Sequence, residues 1–186
     1  MKRQATFLNA LLAAVLTILA TMSMAWADSA KLDDLFTRLA SAEEAEAGRI
    51  EQEIWIEWSK SGSPAMDLLL QRGRDAMEAG DLVTAVEHFT ALIDHAPDFA
   101  EGYNSRATAY FQEGQFGPSV ADIAKTLSLN PRHFGALAGF GMILEQTNQP
   151  DRALEVYNAA LAIHPHLAGV LEAVERIKTE AHGRDL

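Results

Sequence analysis

The sequence predicts an all-α solenoid in which three helix pairs stack in chain order, preceded by a further helical pair and followed by a capping helix. Prolines recur at a constant interval of 34 residues, at Pro97, Pro131 and Pro165. Residues that tolerate a left-handed backbone recur at the same interval, at Gly80, Gly114 and Asn148. An interval of this length is typical of stacked helix-turn-helix units. Each pair should therefore have one helix ending near the glycine or asparagine and another ending near the proline.

Side-chain size follows the same interval and predicts how the two helices of each pair cross. Small residues recur in the first helix at Gly73, Ala107 and Gly141, and in the second at Ala85, Ser119 and Ala153. We expect these two sets to face each other, because small side chains let helix backbones approach closely. A bulky set recurs at Phe89, Ile123 and Tyr157 and is expected to fill the space toward the next pair.

The repeated region is predicted to span residues 64–167 and to contain six helices. They are expected near 64–79, 82–96, 98–113, 117–129, 132–147 and 150–163. The three units are residues 66–99, 100–133 and 134–167. Pro118 and Pro150 fall in the first turns of their helices, where a missing backbone N–H does no harm.

Residues 28–63 are predicted to form a helical pair of their own. Apolar residues spaced like one helical face occur at Leu32, Leu35, Phe36 and Leu39, and again at Ile50, Ile54, Trp55 and Trp58. Ser41 and Glu44 read as a capping box that begins the second helix. We expect this pair to cap the N-terminal end of the solenoid, with both tryptophans packed on the first repeated pair. A direct role of the tryptophans in partner binding stays open.

Residues 168–186 are predicted to form a capping helix and a tail. The residues expected to cover the last repeated pair are Val170, Leu171, Val174 and Ile177. The intervening charged residues would face water, as a solubilising end helix requires.

The repeated pattern resembles the tetratricopeptide repeat, whose units carry a large residue, Leu-Gly, Tyr, Ala, Phe and Pro at fixed spacing. The first unit reads Leu69, Arg72-Gly73, Ala76, Ala85, Phe89, Pro97. The second reads Tyr103, Arg106-Ala107, Tyr110, Ser119, Ile123, Pro131, and the third Leu137, Phe140-Gly141, Leu144, Ala153, Tyr157, Pro165. The resemblance implies a right-handed solenoid whose first helices line a concave groove. The family's tryptophan is replaced throughout, and its leucine is arginine in two units.

The resemblance also implies which residues point into the groove. They are Leu70, Arg74, Met77, Asn104, Thr108, Phe111, Ala138, Met142 and Glu145. An apolar floor of this kind suits a protein or peptide partner with apolar anchors. A family subset grips C-terminal carboxylates with several Lys and Asn residues. Only Arg74 and Asn104 stand in this groove, which disfavours that clamp. The alternative that Met77, Phe111 and Met142 are core residues stays open.

Composition narrows the class of partner and the chemistry. The formal net charge of −11 disfavours binding to nucleic acid or to an anionic membrane and allows a basic protein partner, although it could simply serve solubility. The chain has no cysteine, so disulfides and thiolate metal sites are excluded. Its six histidines show no metal-binding motif, and His164 and His166 are expected to be exposed loop residues. We predict no metal, no cofactor and no enzymatic activity.

Residues 1–27 are predicted to be a secretory signal peptide. Lys2 and Arg3 form the basic start, an apolar stretch follows, and Ala25-Trp26-Ala27 fits a cleavage site. The expected destination is the bacterial periplasm, without stable membrane insertion once the segment is removed. A retained membrane anchor is the alternative.

Taken together, these features predict a module for protein–protein interaction in the bacterial envelope that acts as a scaffold, adaptor or assembly factor. A holdase-like chaperone for exported chains and an accessory subunit of an envelope enzyme complex are the alternatives.

Overall fold

The computed structural model describes residues 30–184, which lie in helices or in short connections between them. The helices are α1 (30–41), α2 (Glu44–Trp58), α3 (Pro64–Glu78), α4 (Leu82–His95), α5 (Ala100–Gln112), α6 (Phe116–Leu129), α7 (Phe134–Gln146), α8 (Pro150–Ile163) and α9 (Ala168–Arg184). Across this range, no helix combines the length and apolar content that crossing a bilayer needs. The predicted signal peptide, residues 1–27, lies outside the described residues.

Helices α3 to α8 form three successive pairs, and each helix packs against the next one along the chain. Helices α4, α6 and α8 begin at Leu82, Phe116 and Pro150, so the 34-residue interval of the sequence is also the interval of the helices. The six predicted helices agree with the observed bounds to within two residues. The predicted all-α solenoid is confirmed.

The turns inside the three pairs share one backbone conformation. Gly80, Gly114 and Asn148 follow α3, α5 and α7, with φ values of 78°, 74° and 58°. This left-handed conformation is accessible to glycine and tolerated by asparagine, and it lets the chain leave one helix and begin the next. The glycine and asparagine residues that recur every 34 positions therefore mark the turn in all three pairs, as predicted.

The helices of each pair cross where a bulky side chain covers a small residue. A Cβ atom on Gly73 would overlap the ring of Phe89, and one on Gly141 would overlap the ring of Tyr157. The small residues of the second pair face each other as expected, since Ser119 donates to the carbonyl oxygen of Ala107 at 2.8 Å. In the first and third pairs the atoms nearest to the glycine belong to the bulky column, which was expected to fill the space toward the next pair. The bulky column fills space within its own pair. In the second pair, alanine (Ala107) stands at the glycine position and the ring is replaced by the smaller Ile123.

Arginine at the leucine position of the second unit is explained by a buried ion pair. Arg106 of α5 donates from Nε and Nη2 to Asp122 of α6, at 2.7 and 2.9 Å, and from Nη1 to Thr90 of α4. The neighbouring Asp122 carboxylate raises the pKa of Arg106 above its ordinary value. The guanidinium group therefore links three helices at a position where the family pattern places an apolar residue.

The N-terminal pair α1–α2 forms as predicted but does not cap the N-terminal end of the solenoid. Its apolar face packs on Phe134, at the start of α7, on Ile163, the last residue of α8, and on Leu167, between α8 and α9. Arg132, just before α7, donates to Asp33 at 2.7 Å and lies over the ring of Phe36. The predicted position is wrong because the apolar partners of this pair lie in the third unit. The face of α3 nearest α2 carries polar residues such as Gln71 and Arg74.

Helix α9 covers the last pair, as predicted, but with a different set of residues. Val170, Val174 and Ile177 are buried against Leu144 and Tyr157. Leu171 was expected in this set, yet it is 41% exposed, and Ala173 is buried in its stead. The difference follows from helical geometry, because positions 170, 173, 174 and 177 form one stripe from which position 171 is rotated away.

Replacing Gly141 with alanine tests the crossing of the third pair. The added methyl group would overlap the Tyr157 ring, so Gly141→Ala should lower the free energy of unfolding by about 1–3 kcal/mol. Gly48→Ala is the matched control, because Gly48 lies in α2 with no atom near the added Cβ. That control should raise stability by about 0.5–1 kcal/mol. Urea denaturation measures both, and equal effects would contradict the proposed crossing.

Candidate functional site

The surface formed by α3, α5 and α7 carries three cavities. The cavity between α5 and α7 has a volume of about 300 Å³. A second lies between α7 and α9, and a third lies between α2 and α3. The α5–α7 cavity is lined by Asn104, Ala107, Thr108, Phe111, Gln112, Ser119, Ile123, Gly135, Ala136, Ala138, Gly139 and Met142.

The predicted groove residues are divided among these cavities. Those that line the α5–α7 cavity are Asn104, Thr108, Phe111, Ala138 and Met142. Glu145 joins Ala138 and Met142 in the α7–α9 cavity, and Leu70 and Arg74 line the α2–α3 cavity. Met77 packs on the core of the first pair. The structure thus brings the residues of the second and third units together and leaves those of the first unit apart.

Exposure separates the candidate apolar floor into two kinds of residue. Met142 is 46% exposed, whereas Leu70 is only 2% exposed and packs with the core of the first pair. Leu70 therefore supports α3 from beneath and offers little surface to a partner, which corrects its expected role in an open floor. Phe111 is half-buried, and its ring lies 5.7 Å from that of Phe116.

A buried carboxylate, that of Glu101, connects the first helices of all three units. Its side chain accepts hydrogen bonds from Arg74 of α3 at 2.7 Å and from Asn104 at 3.2 Å. Ser105 donates to it at 3.2 Å, and the ring of His133 lies 3.1 Å away through Nε2. Glu101 is only 3% exposed, so these four donors replace the water that the charge has lost.

His133 joins this carboxylate to the N-terminus of α7 and to α2. Its Nδ1 accepts a hydrogen bond from the backbone N–H of Ala136 at 3.0 Å and so caps α7. Because Nδ1 accepts, the ring hydrogen lies on Nε2, which donates to Glu101. The ring stacks on Trp58 of α2 with centroids 4.2 Å apart and planes 16° from parallel. The His133 side chain therefore caps α7, binds the buried Glu101 carboxylate and packs against α2 of the N-terminal pair.

His164 repeats this arrangement at the end of α8. Its Nδ1 accepts from the backbone N–H of His166 at 3.2 Å, and its Nε2 lies 3.2 Å from Glu51 of α2. This hydrogen bond is the main reason that the pKa of Glu51 lies below its ordinary value. His166 Nε2 lies 2.9 Å from the carbonyl oxygen of Ala42, between α1 and α2. The expectation that His164 and His166 are exposed is wrong, since the first is buried and the second half-buried.

Both tryptophans of α2 pack on the third unit, which corrects their expected contact with the first. Trp58 is buried and also packs on Phe134, with ring centroids 4.9 Å apart. Trp55 approaches His133 edge-on and covers Gly135, where a Cβ atom would lie 2.6 Å from the indole. Helix α2 therefore closes the edge of the groove at which α7 begins. No sequence signal identified this contact, because it joins residues about 80 positions apart.

The cations beside the groove are paired with carboxylates. Arg74 binds Glu101, and Arg176 of α9 binds Glu145 at 2.5 Å. Tyr157 donates to the same Glu145 carboxylate at 2.5 Å, and its burial is the main cause that raises its pKa. Among residues 30–184, no group of three acidic or histidine side chains is placed to hold a metal ion. The two arginines of this surface are thus paired, and its lining is largely apolar between α5 and α7.

Comparison with known proteins gives consistent matches to one repeat type. A family model described as tetratricopeptide repeat matches residues 70–117 and 105–168. A TPR repeat-containing protein of Rhizobium etli is 36% identical over 136 residues, covering 73% of this chain and 67% of the relative. The tetratricopeptide repeat protein 36 homolog of Nematostella vectensis is 34% identical over 113 residues, covering 60% and 62%. The chain thus spans about two thirds of the length of these relatives.

A solved structure shows the same fold at low sequence identity. It is the first TPR of Spaghetti (RPAP3) bound to the HSP90 peptide SRMEEVD, which is 20% identical. The TM-score is 0.60, and the match covers 63% of this chain and 95% of that one. The likeness concerns the backbone arrangement of the helices.

Removing the Trp58 side chain tests how α1–α2 is held. Trp58→Ala removes the ring that stacks on His133 and Phe134, and should cost about 3–5 kcal/mol. Compared with the unmodified chain, amide hydrogen exchange in Trp58→Ala should become faster by a larger factor in α1 and α2 than in α5 and α6. Ile56→Ala on the same helix is the control, since Ile56 is 54% exposed and its loss should matter little. Unchanged protection of α1–α2 in Trp58→Ala would contradict this docking.

Neutralising Glu101 tests the buried carboxylate. Glu101→Gln keeps the shape of the side chain but leaves Arg74 without its counter-ion and turns an amide NH₂ toward other donors. The expected cost is about 3 kcal/mol in the free energy of unfolding, measured by chemical denaturation. Glu78→Gln, at an exposed position of α3, should change stability by less than about 0.5 kcal/mol. Similar values for the two variants would mean that the buried network contributes little.

Proposed function

Because this chain belongs to the tetratricopeptide repeat family, we propose that it binds a partner polypeptide along the surface of α5, α7 and α9. In this role it serves as a scaffold, adaptor or assembly factor. The observation that carries the proposal is the open apolar cavity between α5 and α7, with Met142 exposed at its side. Concave surfaces with an apolar lining and few polar groups are the usual binding sites of such folds.

The layout of the cavities supports a polypeptide rather than a small molecule. Ala138 and Met142 line both the α5–α7 and the α7–α9 cavities, so the two form one surface across three helices. An extended or helical segment can contact both, whereas a compact ligand fills only one. The similar TPR of Spaghetti (RPAP3) is bound to a peptide, which supports the same class of partner.

We also propose that the protein acts in the bacterial envelope. The support is the sequence of residues 1–27, with its basic start, apolar stretch and Ala25-Trp26-Ala27 cleavage site. The net charge of −11 further supports a protein partner over a nucleic acid.

Site-specific photo-crosslinking in the native cell tests the proposed function. A photo-crosslinking residue replaces Met142, at the side of the cavity, or Val83 of α4, which is 65% exposed and lines none of the three cavities. We expect position 142 to form crosslinks to one or two polypeptides that position 83 does not form, as identified by mass spectrometry of the envelope fraction. Many unrelated chains at position 142 would favour the holdase alternative, and equal crosslinking at both positions would contradict groove binding.

A further inference from the structure

The α5–α7 cavity is a slot because small residues on both helices leave its centre open. Ala107 of α5 and Gly139 of α7 flank it, and the opening reaches down to Ile123 of α6. A Cβ atom on Gly139 would lie 3.9 Å from Ile123 Cδ1, an ordinary van der Waals contact, so a side chain at this position can be added without overlap. Ala107 and Ile123 are themselves buried, so the room for a partner side chain is the cavity volume of about 300 Å³ above them.

The bottom of the slot offers no free hydrogen-bond donor. Ser119 is its polar residue, and its hydroxyl donates to the carbonyl oxygen of Ala107 at 2.8 Å. Ile123 and Ala136 complete the bottom, and both are buried. An apolar side chain entering the slot would leave no buried polar group unpaired, whereas a polar one would lose its hydrogen bonds to water.

The slot is also short. It runs along α7 from Gly135 to Met142, about two helical turns. Trp55 of α2 covers Gly135 and stands at that end. The volume of about 300 Å³ is at the lower limit of ligand sites and leaves room for one bulky side chain and part of its neighbours.

The rim of the slot carries no charge of its own, so the net charge of the chain decides which charged segments are attracted. Its polar residues are the uncharged Asn104, Thr108 and Gln112. The nearest groove cations, Arg74 and Arg176, are each paired with a carboxylate and line other cavities. An acidic segment would find no counter-ion in the slot and would approach a chain of net charge −11, whereas a basic segment would be attracted.

We propose that the α5–α7 slot receives one bulky aliphatic or aromatic side chain of a basic partner segment. This inference rests on the proposed function and adds the chemistry of the partner. The slot supplies the affinity through burial of the apolar anchor, and the net negative charge of the chain supplies the preference for flanking lysine or arginine.

Peptides of stated sequence class test this inference with the full chain. The probes are fluorescent peptides of about nine residues, built of Gly and Ser, with a central Leu flanked by two Lys, two Ser or two Glu on each side. A fourth probe keeps the lysines and has a central Ala. Binding is measured by fluorescence anisotropy at low and at physiological salt. We expect the Lys-flanked Leu peptide to bind at least about tenfold more tightly than its Ala counterpart. The Glu-flanked peptide should bind most weakly, and the difference should narrow as salt rises.

A slot-filling variant locates the anchor. Gly139→Leu places a side chain in the slot at a position with space for its Cβ, and replacing a helical glycine should preserve folding, as checked by circular dichroism and Tm. This variant should bind the Lys-flanked Leu peptide about tenfold more weakly than the unmodified chain does, and it should bind the Ala peptide with unchanged affinity. Gly117→Leu is the control, because Gly117 has no atom near an added Cβ and lines none of the three cavities.

The outcomes separate this inference from the function on which it rests. Failure of every peptide to bind, equal or tighter binding of the Glu-flanked peptide, or undiminished binding by a folded Gly139→Leu variant would each overturn the inference. If crosslinking at position 142 still captures a specific partner, the proposed function stands and only the slot chemistry falls. If position 142 also captures no specific partner, both the proposed function and the slot inference are contradicted.

Discussion

The burial of the Glu101 carboxylate is the constraint to which most of the structure responds. A charge withdrawn from water is tolerated only where donors surround it, and those donors come from α3, α5 and the start of α7. Because His133 is one of them, its ring is held in place and can both cap α7 and stack on Trp58. The hydrogen bonds of this one side chain thus contribute to the alignment of the three first helices and, through His133, to the position of α2.

The docking of α1–α2 changes the groove that the repeats would form alone. Trp55 covers Gly135, so the groove is closed at the edge where α7 begins and stays open toward Met142 and α9. The pair is held by several kinds of contact, including the Arg132–Asp33 ion pair and the His164–Glu51 hydrogen bond. The α1–α2 pair packs on residues of the third unit, so we expect the N-terminal helices and the C-terminal repeat to unfold together.

Helix crossing differs between the second pair and the other two pairs. Where a ring covers a glycine, as in the first and third pairs, the space between the helices is filled. The second pair uses Ala107 with Ile123 instead, and the small residues of α7 do not close the gap above Ile123. The slot lies beside this pair, between α5 and α7.

The sequence by itself determined the repeat, the helix bounds and the turns, because these depend on local preferences that a 34-residue period repeats three times. The candidate groove residues were expected from the resemblance to the repeat family, and three of them, Asn104, Phe111 and Met142, line one cavity. Tertiary structure alone decided where α1–α2 docks, that His133 and His164 are buried hydrogen-bonding residues, and that Leu171 is exposed. Those outcomes depend on contacts between distant residues, which are selected by shape and by the pairing of buried polar groups and leave no period in the chain.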